Sequence, residues 1–164
     1  KSLLERCINA RLNYLNKLYV YTNFVKLKPD VIRTLDILKK KNHILVVNSA
    51  GSDYKILTKL LSRFRIHRYF KKVYGKKDRR LVMKTTKDIL EFKRITYKQI
   101  LLDFNFLKKT NDVLVIGNLK TDIIPANELK IKSIMIKGSF RFDRSHQIIC
   151  HKIKKFDEIL SLSK

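Results

Sequence analysis

Residues 113–126 read VLVIGNLKTDIIPA. Four apolar residues run into Gly117, and one acid, Asp122, follows five positions later. A strand that stops at a glycine and feeds a helix places backbone N–H groups at its end, a common way to build a phosphate or metal site. The position just after the glycine, where an acid would do the chemistry, holds Asn118. The outline is that of a site, with an amide where its leading carboxylate belongs. Other chemistry-bearing residues form no comparable pattern. Cys7 and Cys150 fit no metal or redox spacing and read as free thiols in a reducing compartment. His146 and His151 lie close to Cys150, but a structural zinc site wants four well-spaced ligands, so no metal site is read there.

The elements that must position Asn118 and Asp122 follow from periodicity. Leu4, Cys7 or Ile8, Leu12 and Leu15 predict a helix over residues 1–16, and KLYVYTNFV (17–25) a strand. Pro29 opens a helix whose apolar face is Val31, Leu35 and Leu38. HILVVNSAGSD (43–53) is a buried-type strand, and Ile56, Leu57, Leu60, Leu61 and Phe64 mark the helix after it. A short strand around 70–75 follows. Residues 76–95 are hard to place, with a helical piece near Ile89, Leu90 and Phe92, and Tyr97 to Phe104 predict a further helix. DVLVIGN is a strand, TDIIPANEL a helix, KSIMIKG (132–138) a strand and FDEILSLSK a closing helix. Strands alternating with helices imply an α/β fold, a mostly parallel sheet with helices on both faces. At 164 residues, with 45% hydrophobic residues, one domain is expected: an N-terminal helix (1–16), a core (17–139) and a C-terminal extension (140–164).

Four pieces in order, LKPDVIRTLDILKKKNHILVVNSAG, a helix, IHRYFKKVYG and VLVIGNLKTDIIPANELKIKSIMIKGS, resemble the haloacid dehalogenase-like superfamily over residues 27–139. The resemblance implies a single Rossmann-like domain with its site at the carboxyl ends of the strands. It also implies a magnesium-dependent phosphatase working through an aspartyl-phosphate. Such a site takes a nucleophile and a general acid from an Asp-x-Asp after the first strand. A Ser or Thr comes from the second strand, a Lys offsets the negative charge, and acids after the strand resembling VLVIG help hold Mg²⁺. Ser49 is the candidate hydroxyl, with Asn48 the alternative if the alignment slips by one; Ser49 can equally belong to a helix cap beside Ser52 and Asp53. Lys84, Lys87 and Lys93 all lie where the lysine belongs. Gly117 and Asp122 match the last motif, with Asn118 replacing its leading acid.

The first motif fails. With 17–21 as the first strand, the acids fall on Thr22 and Phe24, neither of which can serve; otherwise the motif lies upstream of Lys1. The reading is therefore of a degenerate, catalytically inactive domain needing no cofactor. Its alternative is a magnesium-dependent phosphatase whose Asp-x-Asp lies in a missing N-terminal segment. If catalysis has gone, charge is the main clue. Lys and Arg number 38 against 14 acids, a net +24, more than solubility requires. Such a surface meets a polyanion, most commonly nucleic acid. The RNA-binding candidates are Arg63, Arg65, Arg68, Lys71, Lys72, Lys76, Lys77, Arg79, Arg80 and Lys84, with Lys137, Arg141 and Arg144 in a second stretch. Phe64, Tyr69, Phe70 and Tyr74 interleave the first group and Phe140 and Phe142 the second; exposed aromatics can stack on unpaired bases, whereas Phe70 and Tyr74 read better as core anchors. The expected partners are RNA, chiefly ribosomal, and neighbouring proteins of a ribonucleoprotein such as a mitochondrial ribosome. Neither membrane binding nor DNA specificity is expected. A start at Lys1 rather than Met leaves room for a cleaved targeting peptide, and the expected location is intracellular and mitochondrial.

Overall fold

In the computed structural model, the residues described are 26–76, 85–136 and 151–162. The helix and strand expected over 1–25 lie outside them. The chain divides into two compact units, one to each side of the Leu81–Val82 bond.

In the first unit, helix α1 (Asp30–Lys40) follows Pro29 as expected and buries Thr34, Leu35 and Leu38. Pro29 takes the N-cap, where a missing N–H costs no helical bond. Strand β1 (Val46–Asp53) pairs in parallel with β2 (Lys72–Lys76). Between them, α2 (Tyr54–Arg63) is the crossover that a parallel pair requires, burying Ile56, Leu57 and Leu61. The register runs evenly from Val46↔Lys72 to Asn48↔Tyr74 and then breaks before Asp53↔Lys76. Ser49 is the first residue inside that break, in the small-residue run Ser-Ala-Gly-Ser.

The second unit holds α3 (Thr86–Asp103), β3 (Leu114–Gly117), α4 (Lys120–Glu128), β4 (Lys132–Ile136) and β5 (His151–Ile153). Its three strands pair in parallel in the order β3-β4-β5. Tyr97 and Leu101 of α3 pack with Ala126 and Ile131, and Val113 and Val115 lie against that cluster. The expected class is borne out, an α/β fold of parallel strands alternating with helices.

Three expectations change in detail. The helical piece near Ile89, Leu90 and Phe92 and the helix after it are one 18-residue helix, α3, opened by a reciprocal cap in which Thr85 and Asp88 each accept the other's backbone N–H. Its inward face carries Lys93 and Thr96 beside Tyr97 and Leu101, so the apolar period is interrupted where the helix is most buried. Residues 151–153, placed in an extension by the sequence, form a strand of the sheet. The closing helix is a 3-10 helix, Phe156–Ser161, tied down when Glu158 accepts the Lys155 N–H at 2.9 Å.

Candidate functional site

Strand β3 ends at Gly117, and α4 begins three residues later. Asp122, in the first turn of α4, folds back over the strand end. Its Oδ2 accepts the Leu119 N–H at 3.3 Å, and its own N–H donates to the Leu119 carbonyl at 3.0 Å. An acid here offsets the positive end of the helix and satisfies a donor that the helix leaves open. The carboxylate occupies the volume that a side chain at 117 would need: a Cβ there would lie 2.4 Å from the Asp122 Cβ and 2.6 Å from its Oδ2. Glycine is required by contact.

The other oxygen of Asp122 meets α3. Lys93 Nζ lies 3.0 Å from Oδ1, and the two side chains keep only 6% and 14% of their exposure. One turn further along α3, the Tyr97 hydroxyl donates to the Asp122 carbonyl at 3.2 Å, and its ring centroid is 5.9 Å from Lys93 Nζ. Burial, and then the nearby Asp122 charge, push the Tyr97 phenol well above its ordinary range, so it remains a donor. A buried ion pair costs several kcal/mol per ion in desolvation and is weak evidence for stability. Set at the carboxyl end of a parallel strand, it is better evidence for chemistry.

Of the three candidate lysines, Lys93 is the one that pairs with Asp122; Lys87 is exposed near the start of α3, and Lys84 lies outside the described residues. Asn118 stands exposed at the same strand end. The structure thus brings Lys93, Gly117, Asn118 and Asp122 into one neighbourhood, and adds Tyr97. No sequence signal marked Tyr97 for this role; it looked like one more apolar residue of a helix face. In the first unit, Asp53 caps α2, its Oδ1 accepting the Lys55 and Ile56 N–H groups at 2.8 and 3.3 Å. The cap is therefore Asp53, and Ser49 is not needed for it. Thr22 and Phe24, like Cys7, His146 and Cys150, fall outside the described residues.

The donor set does not suit a magnesium ion on its own. Mg²⁺ demands octahedral, preferably anionic, oxygens. Asp122 has both oxygens engaged, Asn118 presents a neutral amide, and no group of three His, Cys, Asp or Glu converges among the described residues.

The basic candidates divide. Arg63, Arg65, Arg68, Lys71 and Lys72 are exposed, but Lys76 is 8% exposed and turns little charge outward. Lys77, Arg79, Arg80, Lys84, Lys137, Arg141 and Arg144 lie outside the described residues. Among the aromatics, Tyr69 is buried, with Arg68 and Lys39 at 5.1 and 6.0 Å from its ring, so it anchors the core and offers no stacking face.

Comparison with known proteins bears on the same question. The model of the haloacid dehalogenase-like hydrolase family matches residues 4–136. A search of curated proteins found no match. Among solved structures, the chain is similar to a predicted phosphoglycolate phosphatase from Haemophilus somnus 129PT (18% identity, TM-score 0.65), covering 89% of this chain and 62% of that one. It is also similar to a haloacid dehalogenase phosphatase from Thermococcus onnurineus (17%, 0.59; 84% and 58%). A hydrolase of the same superfamily from Ehrlichia chaffeensis is a third (21%, 0.58; 84% and 58%). The chain thus spans about three fifths of each of these proteins.

These matches overturn the expectation of an inactive, RNA-binding part of a ribosome. The family matched is one of hydrolases, and structures sharing the fold bear phosphatase and hydrolase names. Physically, that expectation rested on net charge, which does not specify a partner, and on aromatics of which one is core.

Proposed function

Because the chain belongs to the haloacid dehalogenase-like hydrolase family, we propose that it is the core of a phosphate-ester hydrolase, with Lys93 and Asp122 as its charge-compensating pair. The observation that carries this reading is the buried 3.0 Å ion pair set against the glycine end of β3. Phosphoryl transfer asks a protein mainly for positioning and for positive charge where negative charge develops. Lys93 supplies a cation, and Asp122 holds it in place. The Asn118 amide and the N–H groups opening α4 supply further donors at the strand end. The family hydroxyl, for which the resemblance offers Ser49 with Asn48 as the alternative, lies in the other unit and is given no part in this pair.

The sequence contains no Asp-x-Asp, so the nucleophilic carboxylate and its partner acid are assigned to residues outside these 164. Anionic ligands for magnesium would come with them, and no step is assigned to Asn118 and Asp122 as a metal cage. The test is hydrolysis of p-nitrophenyl phosphate, with magnesium, by the natural full-length protein. Turnover is expected, falling about 10²-fold or more in Lys93→Gln and Asp122→Asn variants that keep their fold. A full-length protein without turnover, or one whose turnover survives both substitutions, overturns the proposal.

A further inference from the structure

We propose that Tyr97 is a positioning residue for this pair, holding Asp122 by its backbone and Lys93 by its ring so that the ammonium stays at the end of β3. The inference rests on the proposed phosphohydrolase reading only for its catalytic consequence. The geometry stands apart from it.

The pair faces a mechanical problem. Lysine is a flexible four-carbon chain ending in a strongly hydrated point charge, and ordering it costs up to about 2 kcal/mol in rotamer freedom. An ion pair alone restrains distance but not direction. Tyr97 adds restraint from two sides. It sits four residues after Lys93 on α3, the spacing at which two side chains share a helix face. Its ring centroid, 5.9 Å from Nζ, is within the range in which a cation is attracted to an aromatic face. Its hydroxyl reaches off α3 to the carbonyl of Asp122 at 3.2 Å, bonding the backbone of the residue whose carboxylate holds Nζ. One side chain, 5% exposed, therefore touches both partners of the pair.

The alternative is that Tyr97 is a core residue whose hydroxyl found a convenient acceptor. Its burial against Leu101, Ala126 and Ile131 is real. That account, however, predicts that Tyr97→Phe costs some stability and leaves Lys93 as it was. Positioning predicts a change at Lys93 itself. Phe keeps the ring and loses the bond to Asp122, and Leu loses both.

The experiment acylates the natural full-length protein and follows Lys93 modification by mass spectrometry, with exposed Lys87 of the same helix as internal standard. Phosphomonoester kinetics are measured in parallel. Relative to Lys87, Lys93 should label several-fold faster in Tyr97→Phe and faster again in Tyr97→Leu, under conditions where circular dichroism shows both folded. Loss of one neutral hydrogen bond should lower kcat roughly three- to tenfold in Tyr97→Phe, with KM changed less than twofold. Unchanged Lys93 labelling in the folded Tyr97→Phe protein overturns the inference, whatever the turnover does. Faster labelling without wild-type turnover sustains the positioning role and overturns the proposed activity instead. Equal losses in kcat/KM through KM alone overturn the catalytic part, because a misplaced charge-compensating lysine must act on the chemical step.

Discussion

At Gly117 the structure sets a narrow limit. Its missing side chain is space that the Asp122 carboxylate already fills, so Gly117→Ala must displace either the helix start or the acid. Overpacking of this kind costs about 1–3 kcal/mol, and thermal denaturation should register it. A wild-type melting temperature in Gly117→Ala would mean that Asp122 moves aside freely. The ion pair makes a second residue-scale prediction. Lys93→Met leaves a carboxylate at 14% exposure without this partner and should destabilise by about 3–5 kcal/mol. Replacing both, as Lys93→Met with Asp122→Leu, should recover most of that loss, since the penalty lies in the uncompensated charge. Additive losses in the double variant would show that the two side chains do not act as a pair. The legibility of the site follows the same physics. Gly117 and Asp122 announced themselves because a strand, a glycine and an acid in a helix's first turn form a local pattern. Lys93 was one of three candidates in a chain rich in lysine, and only a tertiary contact could select it. Tyr97 had no local signature.

The elements show why their kinds were readable and their ends were not. Each of α1 to α4 closes with a non-glycine residue in the left-handed region: Asn42, Arg65, Asn105 and Lys130, at φ of 62°, 57°, 60° and 57°. The next N–H in each case returns into the last turn, as from Ile66 to Leu61 and from Ile131 to Ala126. Glycine is the usual residue there, and this chain has only four glycines in all. The stop signal that sequence reading relies on was therefore missing, and boundaries drifted while helix identity held. The strain is removable. Arg65→Gly and Lys130→Gly should each stabilise by roughly 0.5–1 kcal/mol, because glycine takes positive φ without a Cβ clash. A lower melting temperature in both would show that their side chains contribute more than the backbone loses. At the start of α3 the reciprocal Thr85–Asp88 cap gives the opposite case, and Thr85→Ala should cost about 1 kcal/mol. The Arg94 guanidinium ties α3 to α4 through two bonds to Glu128, at 2.8 and 3.0 Å, and holds that carboxyl below its ordinary range. A depressed carboxylate contributes stability above its unfolded pKa and loses it as pH falls through the folded value. Glu128→Gln should flatten the acid limb of the stability profile, slightly, since the pair is exposed.

For the whole molecule, the surplus of positive charge becomes a statement about folding. A chain with 38 Lys and Arg against 14 Asp and Glu repels itself when compact, and the acids that could offset this are few and partly committed, as Asp122 is to Lys93 and Glu128 to Arg94. Opposing this are attractions across short distances, which salt weakens less when they are buried. Repulsion acts over the whole surface and is long-ranged: the screening length is about 30 Å at 0.01 M salt and about 8 Å at 0.15 M. Sodium chloride should therefore raise the melting temperature between about 10 and 150 mM, against the usual expectation for a protein held by surface ion pairs. The control is to lower the charge where nothing else changes. Lys59, Lys98 and Lys108 are exposed, and turning all three to Glu alters each by two units, taking the net charge from +24 to +18. That variant should melt higher than the wild type at low salt and respond less to added salt. A wild-type melting temperature that falls with sodium chloride would show that exposed ion pairs such as Arg94–Glu128 outweigh the net repulsion, and the charge would then be no burden on the fold.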